Sequence, residues 1–406
     1  MDSNAMTDEH LHMLMGEYEE SFGKVGERVL AVVAPGRTEL AGNHTDHEGG
    51  QVIAGAVNRY VRGIFCPNES GRIRVKSLGY GLVEVKCSDL TSREEERNTS
   101  AAIVRGLLAA FREQESGSDL QGFDAVVTSE VPAGSGLSSS AAYELEIAQA
   151  MNWLWADGSF SAMKLAQMSQ FAERMYFGKP CGLMDQAAIA VGGIAHMDFS
   201  NASDPQVERL DFDFAENGFS ICLVSVGADH SANTADYAAV PQEMQEVARE
   251  FGCERLCDVR EADVISSLPA LRAKLGDRAA LRTLHYFREE RFVQNRVKAM
   301  RAGDMAAFLE LTQRSGASSA MYLQNVSIGG SPEQPAMVAL AVAEELLGGR
   351  GAVRIHGGGF GGTIQAFVPL SDTDEFCRAM DHALGGQVSS SYVIDHEGAR
   401  ALWREM

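Results

Sequence analysis

The sequence predicts an α+β protein in two domains, and three observations carry that expectation. Its 406 residues exceed the roughly 250–300 at which a single hydrophobic core stops growing. Short apolar, β-branched runs separated by turn-rich stretches dominate the first quarter, and long apolar-periodic stretches follow them. One of the short runs feeds through a glycine-rich turn directly into a long helical pattern.

Strand-like runs cover Val29 to Val33, Val61 to Cys66 and Ile73 to Leu78, and the apolar spacing then predicts a helix over Ala101 to Phe111. The charge cluster Arg93 to Arg97 reads as a solvated loop. A strand over Ala125 to Val131 precedes the glycine turn, and helices are expected over Ser139 to Trp155, over Ser161 to Phe177 and from Met184. A polar segment ending at Pro205 suggests the boundary, giving expected domains of 6–205 and 206–406. Beyond it a strand over Phe219 to Val226 precedes helices across most of Gln242 to Gln313. Another helix starts at Pro335, where a missing N–H costs nothing, and runs to Leu347. Strands over Ala352 to Ile355 and Thr363 to Val368 flank a glycine cluster.

The formal charge of −21 without any Lys/Arg run argues against a nucleic-acid or anionic-membrane surface, so an anionic ligand must be held by local donors and a metal. Seven cysteines without a C-x-x-C pair fit reduced thiols rather than a disulfide framework or a zinc site. No apolar run approaches the roughly 20 residues needed to span a bilayer, and no signal-peptide pattern opens the chain, so the cytoplasm is the expected location.

Three segments carry chemistry. In Pro132-Ala133-Gly134-Ser135-Gly136-Leu137-Ser138-Ser139-Ser140-Ala141-Ala142, glycines let a backbone come close to a ligand. The following helix would present its N-terminal N–H groups and dipole to a phosphate. A plain N-capped turn is the bland alternative, and the stretch is neither a Walker A loop nor a dinucleotide fingerprint. The segment Ala34 to Gly50 gathers a guanidinium, an amide, imidazoles and carboxylates, a set suited to a polyhydroxyl ligand or to an exposed polar loop. Gly178-Lys179-Pro180-Cys181-Gly182-Leu183-Met184-Asp185-Gln186 places an aspartate near a helix start, where it would serve as cap or as catalyst.

Together these residues resemble a family. Pro132 to Ala142 resembles the ATP-phosphate loop of the GHMP small-molecule kinases, and Ala34 to Gly50 is similar to the galactokinase signature. Gly178 to Gln186 is close to the galactokinase stretch with the catalytic aspartate, and Gly357 to Gly362 resembles the family's remaining glycine loop. The resemblance runs, with gaps, from about Val32 to Val368. It departs at Glu39, Ala41, Asn43 and His47, where the family usually has Asn, Ile, an acidic residue and Tyr, and again over Ser315 to Ser327.

The resemblance implies an N-terminal domain like ribosomal protein S5 and a ferredoxin-like C-terminal domain. It implies an ATP-dependent sugar 1-kinase acting on galactose, with galacturonate, N-acetylgalactosamine or arabinose as neighbouring substrates and a non-catalytic galactose sensor as the non-enzymatic reading. By the same resemblance, ATP is held by Gly134, Ser135, Gly136, Leu137, Ser138, Ser139 and Ser140, and Mg²⁺ by Ser139 and Glu173. Asp185 accepts or orients the sugar hydroxyl beside Arg37. The sugar is held by Asn43, His44, Asp46, Gly182 and Tyr237.

Overall fold

The computed structural model describes residues 5–114, 120–132, 134–226, 234–360 and 362–406. The chain opens with helix α1 (Asp8–Phe22) and strands β1 (Arg28–Ala41), β2 (Gln51–Asn68), β3 (Arg72–Ser77) and β4 (Leu82–Lys86). Helix α2 (Ser100–Gln114), strand β5 (Gly122–Ser129) and helices α3 (Ser139–Ala156), α4 (Ala162–Ala172) and α5 (Met184–Val191) follow. Strands β6 (Ile194–Asp198), β7 (Gln206–Leu210) and β8 (Phe219–Ser225) lead to helices α6 (Thr234–Glu250), α7 (Glu261–Leu275), α8 (Asp277–Arg301), α9 (Met305–Ser318) and α10 (Pro335–Leu347). Strands β9 (Ala352–Ile355) and β10 (Thr363–Pro369), helix α11 (Thr373–Leu384), and strands β11 (Ser389–Tyr392) and β12 (Arg400–Glu405) complete it.

The first sheet has strand order β12-β1-β2-β5-β3-β4, with β6 and then β7 continuing from the other end of β2. Among the described residues only β3 and β5 run parallel. Because successive side chains point to opposite faces, the apolar run of β1 serves two cores. Leu30, Val32 and Ala34 pack with α2 to α5, whereas Val29, Ala31 and Val33 pack with Leu14 and Tyr18 of α1. A free helix of this length is marginal in water, so burial of those side chains, at about 1.5–3 kcal/mol for each fully buried apolar one, is what holds α1.

The second sheet, β11-β8-β10-β9, is wholly antiparallel. Numbered within that sheet its order is 4-1-3-2, and with intervening helices it follows the β-α-β-β-α-β course of a ferredoxin-like domain. Ala336, Ala339 and Ala343 of α10 pack with Ile355, Ile364 and Ala366, small residues letting the helix lie close to the sheet. A further cluster joins Leu40 and Ile53 of the first sheet to Phe308 and Phe367. The far end of β1 therefore lies where the two layers meet. Among the described residues no helix is long and apolar enough to cross a membrane.

Two expectations need correction. Residues 206–210 pair with β6 and residues 400–405 with β1, so a boundary at 205/206 cuts a hairpin, and both ends of the expected second domain belong to the first sheet. The segment Ala34 to Ala41 is not a loop: it continues β1, with register shifts at Pro35/Gly36 and Glu39/Ala41. Each shift rotates the strand, and the polar side chains that made it read as loop are satisfied in the junction rather than by water. Helices α1 and α11 and strands β4, β6, β7, β11 and β12 were not expected at all.

Candidate functional site

Arg37 leaves β1 beyond its first register shift, and its backbone N–H donates to the Leu137 carbonyl at 3.0 Å. Its Nε donates to Asp185 Oδ1 at 2.7 Å and its Nη1 to the Gly136 carbonyl. Asp185 lies in the first turn of α5, the positive end of that helix, and its other oxygen accepts the Ser138 hydroxyl. Ser138 has left-handed φ (57°) and its side chain does not cap α3. Three distant segments thus meet at one carboxylate. Burial is the largest influence on Asp185 and works to raise its pKa, but the charge and hydrogen bond of Arg37, the Ser138 hydroxyl and the Lys179 charge together hold it below the usual carboxylate range.

The expected phosphate loop turns at Gly134 (φ 72°) and Gly136 (φ 76°), values that favour glycine. Ser135 Oγ donates to the Pro132 carbonyl at 2.7 Å, and the Ser135 carbonyl accepts the Thr363 hydroxyl at 3.0 Å. Leu137 is buried in the first core, while Ser139 and Ser140 open α3. Ala133 of this loop and Gly361 of the C-terminal glycine cluster lie outside the described residues.

The residues expected to hold the sugar lie beside this cluster. A Cβ on Gly182 would lie 1.9 Å from Asp46 Oδ2, so only glycine allows that carboxylate its position. Burial raises the Asp46 pKa, with Asp185 adding to the effect and His47 opposing it. His44 Nε2 donates to the Gly358 carbonyl at 2.9 Å, its Nδ1 lies 3.2 Å from His47 Nε2, and its ring centre is 5.4 Å from that of Tyr237. Burial first, then the His47 charge, push the His44 pKa down to about 3, leaving a neutral ring. Tyr237 packs over Gly358. Burial, Asp46 and Asp185 push its hydroxyl up to about 12.

Asn43 has a different part from the one expected of it. Its Nδ2 donates to Gly357 O at 2.6 Å and Glu39 Oε1 at 3.3 Å, and its Oδ1 accepts from Asn325 at 2.8 Å and Ser319 at 3.2 Å. An amide offers two donors and two acceptor sites, so Asn43 has no polar capacity left for a sugar. Its backbone carbonyl is also bonded, to His285 Nε2 at 3.0 Å. Glu39 in turn is ion-paired with the fully buried Arg354. No open amide at position 43 is therefore left to face a charged substituent such as the carboxylate of a uronic acid.

For a divalent cation the donor set fits. Glu173 is buried at the end of α4, where a π-type turn runs over Glu173–Phe177. Its oxygens accept from Lys179 Nζ at 2.9 Å and the Gln186 amide at 2.7 Å. The same amide reaches Glu144 Oε2 at 3.0 Å, while Glu144 Oε1 is buried with no hydrogen-bond partner among the described residues. Burial and the Glu173 charge raise the Glu144 pKa. The buried Glu173 carboxylate and the partnerless Glu144 oxygen beside it are oxygen donors of the kind Mg²⁺, which takes few protein ligands, would use. Lys179, whose side chain is half-exposed, now neutralises Glu173 and would give way to the metal.

Sequence reasoning missed Glu144, Lys179, Gln186 and His356 as members of this neighbourhood. Gln186 and Lys179 stand inside a segment already singled out, but nothing local marks Glu144 or His356, which arrive by tertiary packing.

Residues 16–67 match the galactokinase galactose-binding signature and residues 102–193 the GHMP kinases N terminal domain. A galactokinase of Streptomyces coelicolor is 32% identical over 370 residues, covering 90% of this chain and 91% of that protein. The human galactokinase is 28% identical over 391 residues, covering 95% of each. The structure of a Lactococcus lactis galactokinase complexed with galactose superposes with a TM-score of 0.81 at 22% identity, covering 97% of this chain and all of the other.

Proposed function

This chain belongs to the galactokinase family of GHMP kinases, and on that footing we propose that it transfers the γ-phosphoryl group of ATP to the anomeric hydroxyl of galactose. The observation that carries the reading is the Arg37–Asp185–Ser138 cluster, which ties the sugar strand, the phosphate loop and α5 together at one carboxylate.

Phosphoryl transfer has a loose transition state, so positioning and charge stabilisation matter more than strong nucleophile activation. An efficient general base has a pKa near the working pH, whereas Asp185 is held below the ordinary range. Its main work is therefore to orient the sugar hydroxyl, taking the proton only as the O–P bond forms. Arg37 supplies fixed positive charge where the transferring group accumulates negative charge. The loop from Gly134 to Ser140 and the N-terminus of α3 hold the phosphates. Asp46 and Tyr237, with Gly182 leaving room, hold the sugar hydroxyls, while the neutral His44, bonded at both ring nitrogens, packs beside Tyr237 and supports it. Mg²⁺ held by Ser139 and Glu173 would supply neutralisation of phosphate charge.

A coupled ADP-release assay over galactose, galacturonate, N-acetylgalactosamine and arabinose tests the reading, with galactose expected to be fastest. Galactose binding without ADP release for any sugar would overturn it in favour of a sensor.

A further inference from the structure

His356 follows β9 at the junction between the layers and is almost wholly buried. Its backbone N–H donates to Thr363 O at 3.0 Å, so it sits opposite the residue whose hydroxyl holds the Ser135 carbonyl. The hydrogens around its ring can be followed. Gln365 Nε2 donates to Thr38 Oγ1 at 2.7 Å, which leaves the Thr38 hydrogen for His356 Nε2 at 2.9 Å. Glu39 N–H donates to the same nitrogen at 3.2 Å. Nε2 is thus an acceptor twice over, and in the neutral ring the proton belongs to Nδ1.

That Nδ1–H is buried and has no hydrogen-bond partner among the described residues. It is aimed at the phosphate loop: a Cβ on Gly136 would lie 2.7 Å from it. An orphaned buried donor is costly, and native structures keep few of them. Burial first, then the charges of Arg37 and Arg354, disfavour a protonated ring, so the group faces the loop as a neutral donor. The acceptor that the loop is built to receive is an anionic phosphate.

We propose that His356 is a phosphate-binding residue whose Nδ1–H donates to a phosphate oxygen of ATP once nucleotide shifts the Gly136 turn that now covers it. The proposal rests on the kinase reading above. It assigns to the C-terminal layer a direct share in holding ATP, and it makes glycine at position 136 a requirement for access to the donor as well as for the turn.

The two nitrogens can be tested separately. His356→Gln keeps an acceptor near Nε2 and loses the Nδ1 donor, while His356→Asn keeps a donor near Nδ1 and loses the Nε2 contact. Calorimetric titration with a non-hydrolysable ATP analogue should give a Kd raised about tenfold or more for His356→Gln, because a hydrogen bond to a charged acceptor is lost. His356→Asn should stay within about threefold of wild type, and galactose affinity should be unchanged in both. In the ¹⁵N-labelled wild-type protein the Nδ1–H resonance should move downfield when the analogue is added. An unmoved resonance, or a folded His356→Gln protein that binds the analogue as wild type does, overturns the proposal, and the wild-type resonance decides if the variants do not fold. Failure of wild type to bind the analogue at all would refute the kinase reading itself.

Discussion

The Asp46 carboxylate occupies the space where a side chain at Gly182 would begin, 1.9 Å from an ideal Cβ. Backbone on one segment and a charged side chain on another are thereby fitted to each other within the proposed sugar site. Gly182→Ala must displace Asp46, the flexible partner. The expected result is a galactose KM raised at least tenfold, with ATP KM and thermal stability little changed. Equal rises in both KM values would show instead that the whole cleft had shifted.

Asp185→Asn keeps the shape of the side chain but removes its charge and proton acceptance. Turnover should fall by about 10²–10⁴-fold, while sugar and nucleotide Kd stay within about tenfold. Because the folded Asp185 pKa is lowered, its share of activity is present above the usual carboxylate range and is lost only as pH drops through that depressed value. An acid limb in kcat near neutrality would therefore have to come from another group.

Asn43→Asp separates a structural amide from a sugar contact. The new oxygen would face Gly357 O, and the new charge would sit beside Glu39, in place of donors. Breaking such a buried network costs about 1–3 kcal/mol for each group left unpaired. Scanning calorimetry should show Tm lower by several degrees. An unchanged Tm with a raised galactose KM would restore Asn43 as a sugar ligand.

Burial pushes Glu290 up to about 8, with Asp198 and Glu289 adding to the effect and the Gln51 N–H opposing it. A raised folded pKa means that the stability it contributes is complete below the unfolded value near 4.5 and is lost as pH climbs through about 8. Wild type should lose Tm between pH 5.5 and 9, and Glu290→Gln, which can still accept the Gln51 N–H, should lose less. Parallel losses in the two proteins would remove Glu290 as the cause.

Ser139→Ala and Glu173→Gln should each raise the Mg²⁺ concentration needed for half-maximal rate, as expected when one of a few protein oxygens on the metal is lost. Metal titration at saturating ATP and sugar reads this directly, and unchanged curves for both would exclude them as ligands.

Local chemistry made much of the molecule legible in the sequence. Val29 to Val33, Ile73 to Leu78, Ala101 to Phe111 and Pro335 to Leu347 announce their elements because apolar spacing is set by the period of the element itself. The turn from Gly134 to Gly136 is legible locally because close backbone approach calls for glycine, whereas Arg37, Gly182 and Asp185 take their expected roles only from the resemblance of their segments to the galactokinase motifs. Helix α1 is also written locally, in the spacing of Leu11, Leu14, Met15, Tyr18 and Phe22, although its cap, Thr7 with His10, is not the usual Glu/Gln pairing.

Tertiary structure alone decided the rest. Whether Ala34 to Ala41 is strand or loop depends on β2 and on the buried partners of Glu39 and Asn43, which lie as far along the chain as Arg354 and Asn325. The pairing of β12 with β1 joins the two ends of the chain, and no local pattern encodes a partner some 370 residues away. The orphan donor of His356 exists only because Thr38 and Glu39 occupy its other nitrogen while Gly136 covers this one. A sequence specifies which side chains carry charge and donors, but saturation of a donor is a property of the packed neighbourhood, and that is fixed only when distant segments are brought to hydrogen-bond distance.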